Sequence, residues 1–247
     1  MENKPERKIR PPRFDGAGIL LVDKPQEWTS FDVVNFVRAR FNIPKVGHCG
    51  TLDPAATGLL VLVFGKFTTL SQKLSGDNKT YEGSLLLGTE TDSQDMDGKI
   101  ISEKDWSNVT ESQVRQVFER FIGDIQQIPP MVSAIKVNGK RLYELARKGK
   151  VVEREPRDIT IHRLEITNIE LPRVDFAVEC SKGTYIRTLC SDIGGELGCG
   201  GVLKCLRRTH SGMFDIADAV DIETLKTWEQ PELEQYLAKF IAEKAKF

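Results

Sequence analysis

KVGHCGTLDPAATGLLVLVFGKF, residues 45–67, runs from a glycine-rich approach through Asp53 into the apolar run Leu59–Phe64. Six apolar residues without alternation read as a central strand buried on both faces, LLVLVFG over 59–65. Asp53 followed by Pro54 has the chemistry of a helix start, with aspartate at the N-cap and proline at the first helical position. The same carboxylate at the positive end of a helix would be held ionised, as a nucleophile requires. Both readings of Asp53 stand at this point. Arg187, at a strand-to-helix transition in KGTYIRTL, is the candidate cation for the second.

Outward from this stretch, GILLVDKP (18–25) predicts a buried strand ended by proline, and Thr29 or Ser30 caps a helix through Phe41. KFTTLSQKL reads as a short helix and TYEGSLLLG (80–88) as a second strand, followed by the acidic loop TETDSQDMDG. Thr110 caps an amphipathic helix to about Ile122. From Met131 to Arg157 the pattern is strand, Asn138-Gly139 turn, basic helix and extended chain. ITIHRLEITNIE and RVDFAVECS predict antiparallel strands, KGTYIRTLCSDIGGELG passes into a helix, and VLKCLRRTHSG into a last strand.

The chain has 247 residues with 40% hydrophobic residues, 29% charged and a formal net charge of -1, the composition of an ordinary globular protein. No apolar run approaches the roughly 20 residues of a membrane-spanning helix, so no membrane association and a cytoplasmic location are expected. Five cysteines, none in a C-x-x-C pair, read as free thiols, and three scattered histidines give no metal-ligand spacing. Charge is uneven. Residues 1–14 hold five basic residues against two acidic and read as a flexible arm, and 136–163 hold nine against four. The tail from Asp215 is acidic. A basic segment in a neutral protein fits either a polyanion site or a solvated face.

Three partial motifs fail. Gly58–Lys66 has its glycines too far apart for a phosphate loop and Phe67 where a hydroxyl should be. The acidic loop would place Lys104 at the twelfth position of a calcium hand, so it reads as a solvated turn. GGELGCGG (194–201) has Leu203 in place of the third glycine of a dinucleotide fingerprint.

Four stretches carry a resemblance: GILLVDKPQEWTS, KVGHCGTLDPAATGLLVLVFGK, KTYEGSLLLGTETDSQDMDG and CSKGTYIRTLCSDIGGELGCGGVLKCLRRTHSG. Together, in this order from Gly18 to Met213, they resemble the bacterial TruB family of tRNA pseudouridine-55 synthases. IPPMVSAIKVNGKRLYELARKGKVVEREPR resembles the family's RNA-gripping thumb.

The resemblance implies an α/β (α+β) pseudouridine synthase fold, a mostly antiparallel mixed central sheet flanked by helices. It implies one catalytic domain over 15–247, with a thumb over about 126–157 and a short helical acidic tail over about 214–247. The family's C-terminal PUA domain is expected to be absent. The implied activity is isomerisation of the T-loop uridine of tRNA by base flipping, without cofactor, metal or guide RNA, by a monomer. Asp53 would be the catalytic carboxylate, adding to the ribose C1′ or assisting elimination to a glycal, with Arg187 as its partner. Tyr81 would stack on the flipped base and relay a proton, Tyr185 and Leu206 would complete the pocket, and His48 would fill the vacated space. Lys140, Arg141, Arg147, Lys148 and Lys150 would contact phosphates. A non-catalytic RNA-binding factor and a guide-dependent synthase are the competing readings. The joint presence of Asp53, Arg187 and Tyr81 weighs against the first, and the basic thumb and expected lack of a PUA domain against the second.

Overall fold

β1 (Gly18–Lys24) is buried almost throughout, as its continuous apolar sequence requires. α1 (Ser30–Arg40) begins at Thr29, whose hydroxyl accepts from the N-H of Asp32 while the Asp32 carboxylate accepts from the N-H of Thr29, a capping box. After β2 (Val46–His48) comes β3 (Thr57–Phe64), antiparallel to β1 from Gly18 opposite Phe64 to Lys24 opposite Gly58, and antiparallel to β2. Alternate residues of this sheet face two cores. Leu20, Val22, Leu60 and Leu62 pack with Val33, Val34 and Val37 of α1, and Ile19, Leu21, Leu59, Val61 and Val63 pack with Cys49, Leu74 and Phe214. A 3-10 turn and α2 (Ser71–Ser75) complete this stretch.

The computed structural model describes residues 11–133, 135–137, 139–146 and 149–244. The described chain divides into two compact units, 1–75 with 213–247, and 76–212. The arm expected over 1–14 reaches too far. Phe14 is buried, packs edge to face on Phe64 and donates its N-H to the Asn42 carbonyl, because an aromatic ring gains more from that core than from water.

The second unit contains β4 (Lys79–Leu87), a hairpin of β5 (Thr89–Thr91) and β6 (Ile100–Glu103), α3 (Glu111–Arg120) and β7 (Gly123–Gln127). There follow a small ribbon of β8 (Lys136–Val137) and β9 (Lys140–Arg141), and α4 (Leu142–Ala146). β10 (Arg157–Glu170), β11 (Arg173–Cys180), α5 (Ile186–Glu196) and β12 (Gly201–Ser211) complete it. Its sheet is antiparallel in the order β12, β4, β11, β10, β7. Thr110 caps α3 with Gln113, and Phe118 of α3 meets Phe176 of β11 edge to face. The glycine cluster after α5 serves packing: a Cβ on Gly194 would lie 2.2 Å from the Gly201 nitrogen, so helix and strand meet backbone to backbone.

From Met213 the chain rejoins the first unit with β13 (Phe214–Asp215) and β14 (Val220–Asp221), the latter parallel to β1. α6 (Ile222–Thr227), capped by Asp221, and α7 (Gln230–Lys244) follow. The tail, expected to be helical, thus also supplies strand, and Ile222, Leu225, Leu233 and Leu237 join the core under α1. Among the described residues no helix is long and apolar enough to cross a membrane.

Candidate active site

Asp53 does not start a helix. Residues 53–56 form a turn in which the Asp53 carbonyl accepts the Ala56 N-H at 3.1 Å, and the chain enters β3 at Thr57. Aspartate first and proline second are as favourable in a type I turn as at a helix start, and a turn lets the buried strand begin at once. The helix-dipole argument for an ionised Asp53 therefore falls.

Two buried polar side chains hold this turn. Ser30 Oγ donates to the Leu52 carbonyl at 3.1 Å and accepts the Leu52 N-H at 2.8 Å, pinning the residue before Asp53. Lys24, fully buried at the end of β1, donates from Nζ to the carbonyls of Trp28 at 2.6 Å, Pro25 at 2.8 Å and Pro54 at 3.3 Å. Carbonyl dipoles thus take the place of water around the ammonium. The N-H of Glu27 also bonds the Pro54 carbonyl at 2.9 Å, so the loop after β1 and the Asp53 turn are tied together. His48 ends β2 opposite Leu62, half-buried, and the next residue, Cys49, is anchored by its N-H to the Val61 carbonyl.

In the second unit, Arg187 lies in the first turn of α5 and is 4% exposed. Its guanidinium donates to the carbonyls of Val132 at 2.8 Å and Ser93 at 2.9 Å and lies 3.5 Å from an Asp95 carboxylate oxygen. The acidic loop expected to be a solvated turn is therefore partly an inner wall. Thr91, Ser93 and Asp95 are buried, and the Thr91 hydroxyl donates to the Asp95 carbonyl. A buried guanidinium draws carboxylate and carbonyl oxygens inward, because leaving it unsolvated would cost more than folding the loop over it.

Tyr185 is the N-cap of α5 and half-buried. Its N-H donates to Gln127 Oε1 at 2.7 Å, and its carbonyl accepts from Gln127 Nε2 at 3.0 Å. Tyr81 sits on β4 between Val178 of β11 and Arg208 of β12, 9% exposed. Leu206 of β12 lies opposite Gly83, where a Cβ would come within 3.3 Å of the leucine. Arg208, Tyr81's cross-strand neighbour, is 1% exposed.

The ends of the expected thumb are paired strands, with Gln127 opposite Arg157, so the insertion leaves and returns at one place. Lys140 and Arg141 form β9, and Lys150 is exposed. Arg147 and Lys148 lie outside the described residues. Among the described residues no group of three or more His, Cys, Asp or Glu could hold a metal ion.

Lys24, Gln127 and Arg208 were not singled out in the sequence, Ser30 was named only as a helix cap, and Asp95 only as part of the acidic loop. Lys24 carried a signal, a charged residue closing a run of apolar ones. The others are polar residues whose partners lie elsewhere in the chain.

Helices lie against mostly antiparallel sheets, with a buried arginine at a helix start and an aspartate on a clamped turn, and the comparisons with known proteins make this a pseudouridine synthase fold. The crystal structure of a Cbf5-Nop10-Gar1 complex matches with a TM-score of 0.68 and 28% identity over 93% of this chain, which spans 56% of that chain. Residues 38–186 match the TruB family pseudouridylate synthase N-terminal domain, and residues 187–243 the tRNA pseudouridylate synthase B C-terminal domain. The chain is 49% identical over 226 residues to tRNA pseudouridine synthase B of Opitutus terrae, covering 92% of this chain and 94% of the relative. It is 46% identical over 229 residues to the protein of that name from Syntrophotalea carbinolica, covering 92% of this chain and 75% of the relative. The chain belongs to the TruB family.

Proposed function

We propose that this chain converts the uridine at position 55 in the T loop of tRNA to pseudouridine. The broader statement follows from family membership: it is a tRNA pseudouridine synthase, an isomerase. In the reaction the bond from ribose C1′ to uracil N1 breaks, the base turns, a bond from C1′ to C5 forms, the C5 hydrogen leaves as a proton, and N1 takes a proton up. A carboxylate suits this sequence because it can stabilise or capture an electron-poor C1′ and then depart. Asp53 takes that role in the reading, with Arg187 keeping it ionised and aimed.

A target stacked inside the T loop must be flipped out before it can react. Tyr81 stacks on the extruded base and relays a proton, Tyr185 and Leu206 complete the pocket, and His48 fills the space the base leaves. The basic insertion, with Lys140, Arg141, Arg147, Lys148 and Lys150, grips T-arm phosphates, and these contacts supply affinity without reading sequence. The chain acts in the cytoplasm as a monomer, without a guide RNA.

The observation that carries the reading is the family match over 38–186, which includes Asp53 in GTLDP and Tyr81 in KTYEG. The test is tritium release from tRNA transcript labelled at uracil C5, with the purified protein as sole macromolecular addition. Release by the wild type that is lost in Asp53→Asn, and lost when the T-loop target is cytidine, supports substrate and residue together. Tight tRNA binding without release would replace the reading with that of an RNA-binding factor.

A further inference from the structure

Gln127 ends β7 where the insertion begins, is 2% exposed, and commits both ends of its side-chain amide to Tyr185, 58 residues away. A carboxamide that bonds the N-H and the C=O of one residue imitates a rung of an antiparallel ladder and fixes that residue's φ and ψ. Tyr185, the N-cap residue, supplies no side-chain cap to α5. Its carbonyl already accepts the Leu189 N-H at 3.0 Å, so Gln127 uses the second lone pair as well as the N-H that the helix leaves over. The entry angle of α5 is therefore set from outside the helix.

Two residues further on, Arg187 bonds the carbonyl of Val132, which lies five residues beyond Gln127. The segment opening the insertion and the segment opening α5 are thus clasped at two points, once through a glutamine side chain and once through an arginine side chain. We infer that Gln127 is a positioning residue for the reaction: its amide sets the start of α5, and with it the directions of Tyr185 and Arg187, from the root of the insertion. This rests on the reading of Tyr185 and Arg187 as site residues.

Two variants test it. Gln127→Met keeps the length and removes both hydrogen bonds, whereas Gln127→Glu keeps an acceptor for the Tyr185 N-H but turns a carboxylate toward the Tyr185 carbonyl. A displaced reacting group costs rate more than affinity, so kcat for tRNA falls on the order of 100-fold in both. KM stays within about two-fold. The thermal midpoint stays within a few degrees of wild type. Should Gln127→Met fail to fold, Gln127→Glu carries the comparison.

Wild-type kcat in a folded variant overturns the inference, and so does a fall in which kcat, KM and thermal midpoint move together, since that is a merely structural role. Wild type and Asp53→Asn are assayed alongside. Asp53-dependent release by the wild type with unaltered variants sinks this inference alone, whereas no release by the wild type sinks the functional reading and this inference with it.

Discussion

The two units surround their candidate residues with different kinds of hydrogen bond. Around Asp53 the scaffold grips the backbone on either side: Ser30 takes both polar groups of Leu52, and Lys24 takes the Pro54 carbonyl. Around Arg187 the scaffold grips the side chain, with carbonyls from Ser93 and Val132 and the carboxylate of Asp95. A group that must change its bonding during a reaction is best fixed through its neighbours, and a group that must keep one charge in one place is best fixed through its own polar atoms. Substitutions at Asp53 should therefore separate chemistry from structure, and substitutions at Arg187 should mix them.

The largest effect expected is that of Asp53→Asn. The Ser30 and Lys24 bonds go to the backbone of Leu52 and Pro54, and asparagine keeps the shape of aspartate, so the melting temperature and tRNA affinity should stay near wild type. On the role proposed for Asp53, turnover should fall on the order of 1000-fold or more, since asparagine can neither capture nor stabilise an electron-poor C1′ as a carboxylate can. Filter binding beside tritium release checks this, and joint loss of binding and activity would break the comparison.

Lys24→Met attacks the same turn from beneath. It removes the ammonium shared by three carbonyls, leaving those of Pro25 and Trp28 without this donor while Glu27 still bonds that of Pro54, a loss on the order of 2 kcal/mol. Urea denaturation should show it as a lower midpoint at unchanged slope, with activity recovering in part at low temperature as the folded fraction rises. Arg187→Lys comes next. One ammonium cannot reach both the Ser93 and Val132 carbonyls as a planar guanidinium does, so kcat should fall on the order of 100-fold together with a measurable loss of stability.

Much of this arrangement was legible because burial writes itself into strands: GILLVDK and LLVLVF could only be central, and β1 and β3 pair along their whole length. Helix α1 was legible because its capping box lies within four residues. The Asp53 turn was misread because the signals for a helix start and a type I turn coincide over two residues, and what decides between them is the demand of β3 to begin at Thr57. The acidic loop was misread because its composition describes a solvated turn, whereas Asp95 is drawn in by an arginine 92 positions later in the chain. Gln127 gave no signal and Ser30 only that of a helix cap, since a buried polar residue is explained only by a partner that folding supplies.

The smallest effect expected lies on the same helix as Arg187 and separates that helix's stability from its chemistry. Asp192 of α5 is half-buried, and burial pushes its carboxyl up to about 6. A folded value above the unfolded 3.8 means that the native state holds its proton more tightly, so this group's contribution to stability declines as pH rises from about 4 through 6. At pH 7.5 the charged carboxylate sits in the native state at a penalty, which partial exposure to water limits to about 1 kcal/mol. Asp192→Asn should therefore raise the thermal midpoint at pH 7.5 by a few degrees, and the gain should vanish near pH 4, where the wild-type carboxyl is neutral in the native state. Its kcat should match wild type throughout, because stiffening α5 does not alter the bonds that hold Arg187. A gain in stability accompanied by a fall in kcat would show that the grip on Arg187 depends on the whole helix and not on its first turn.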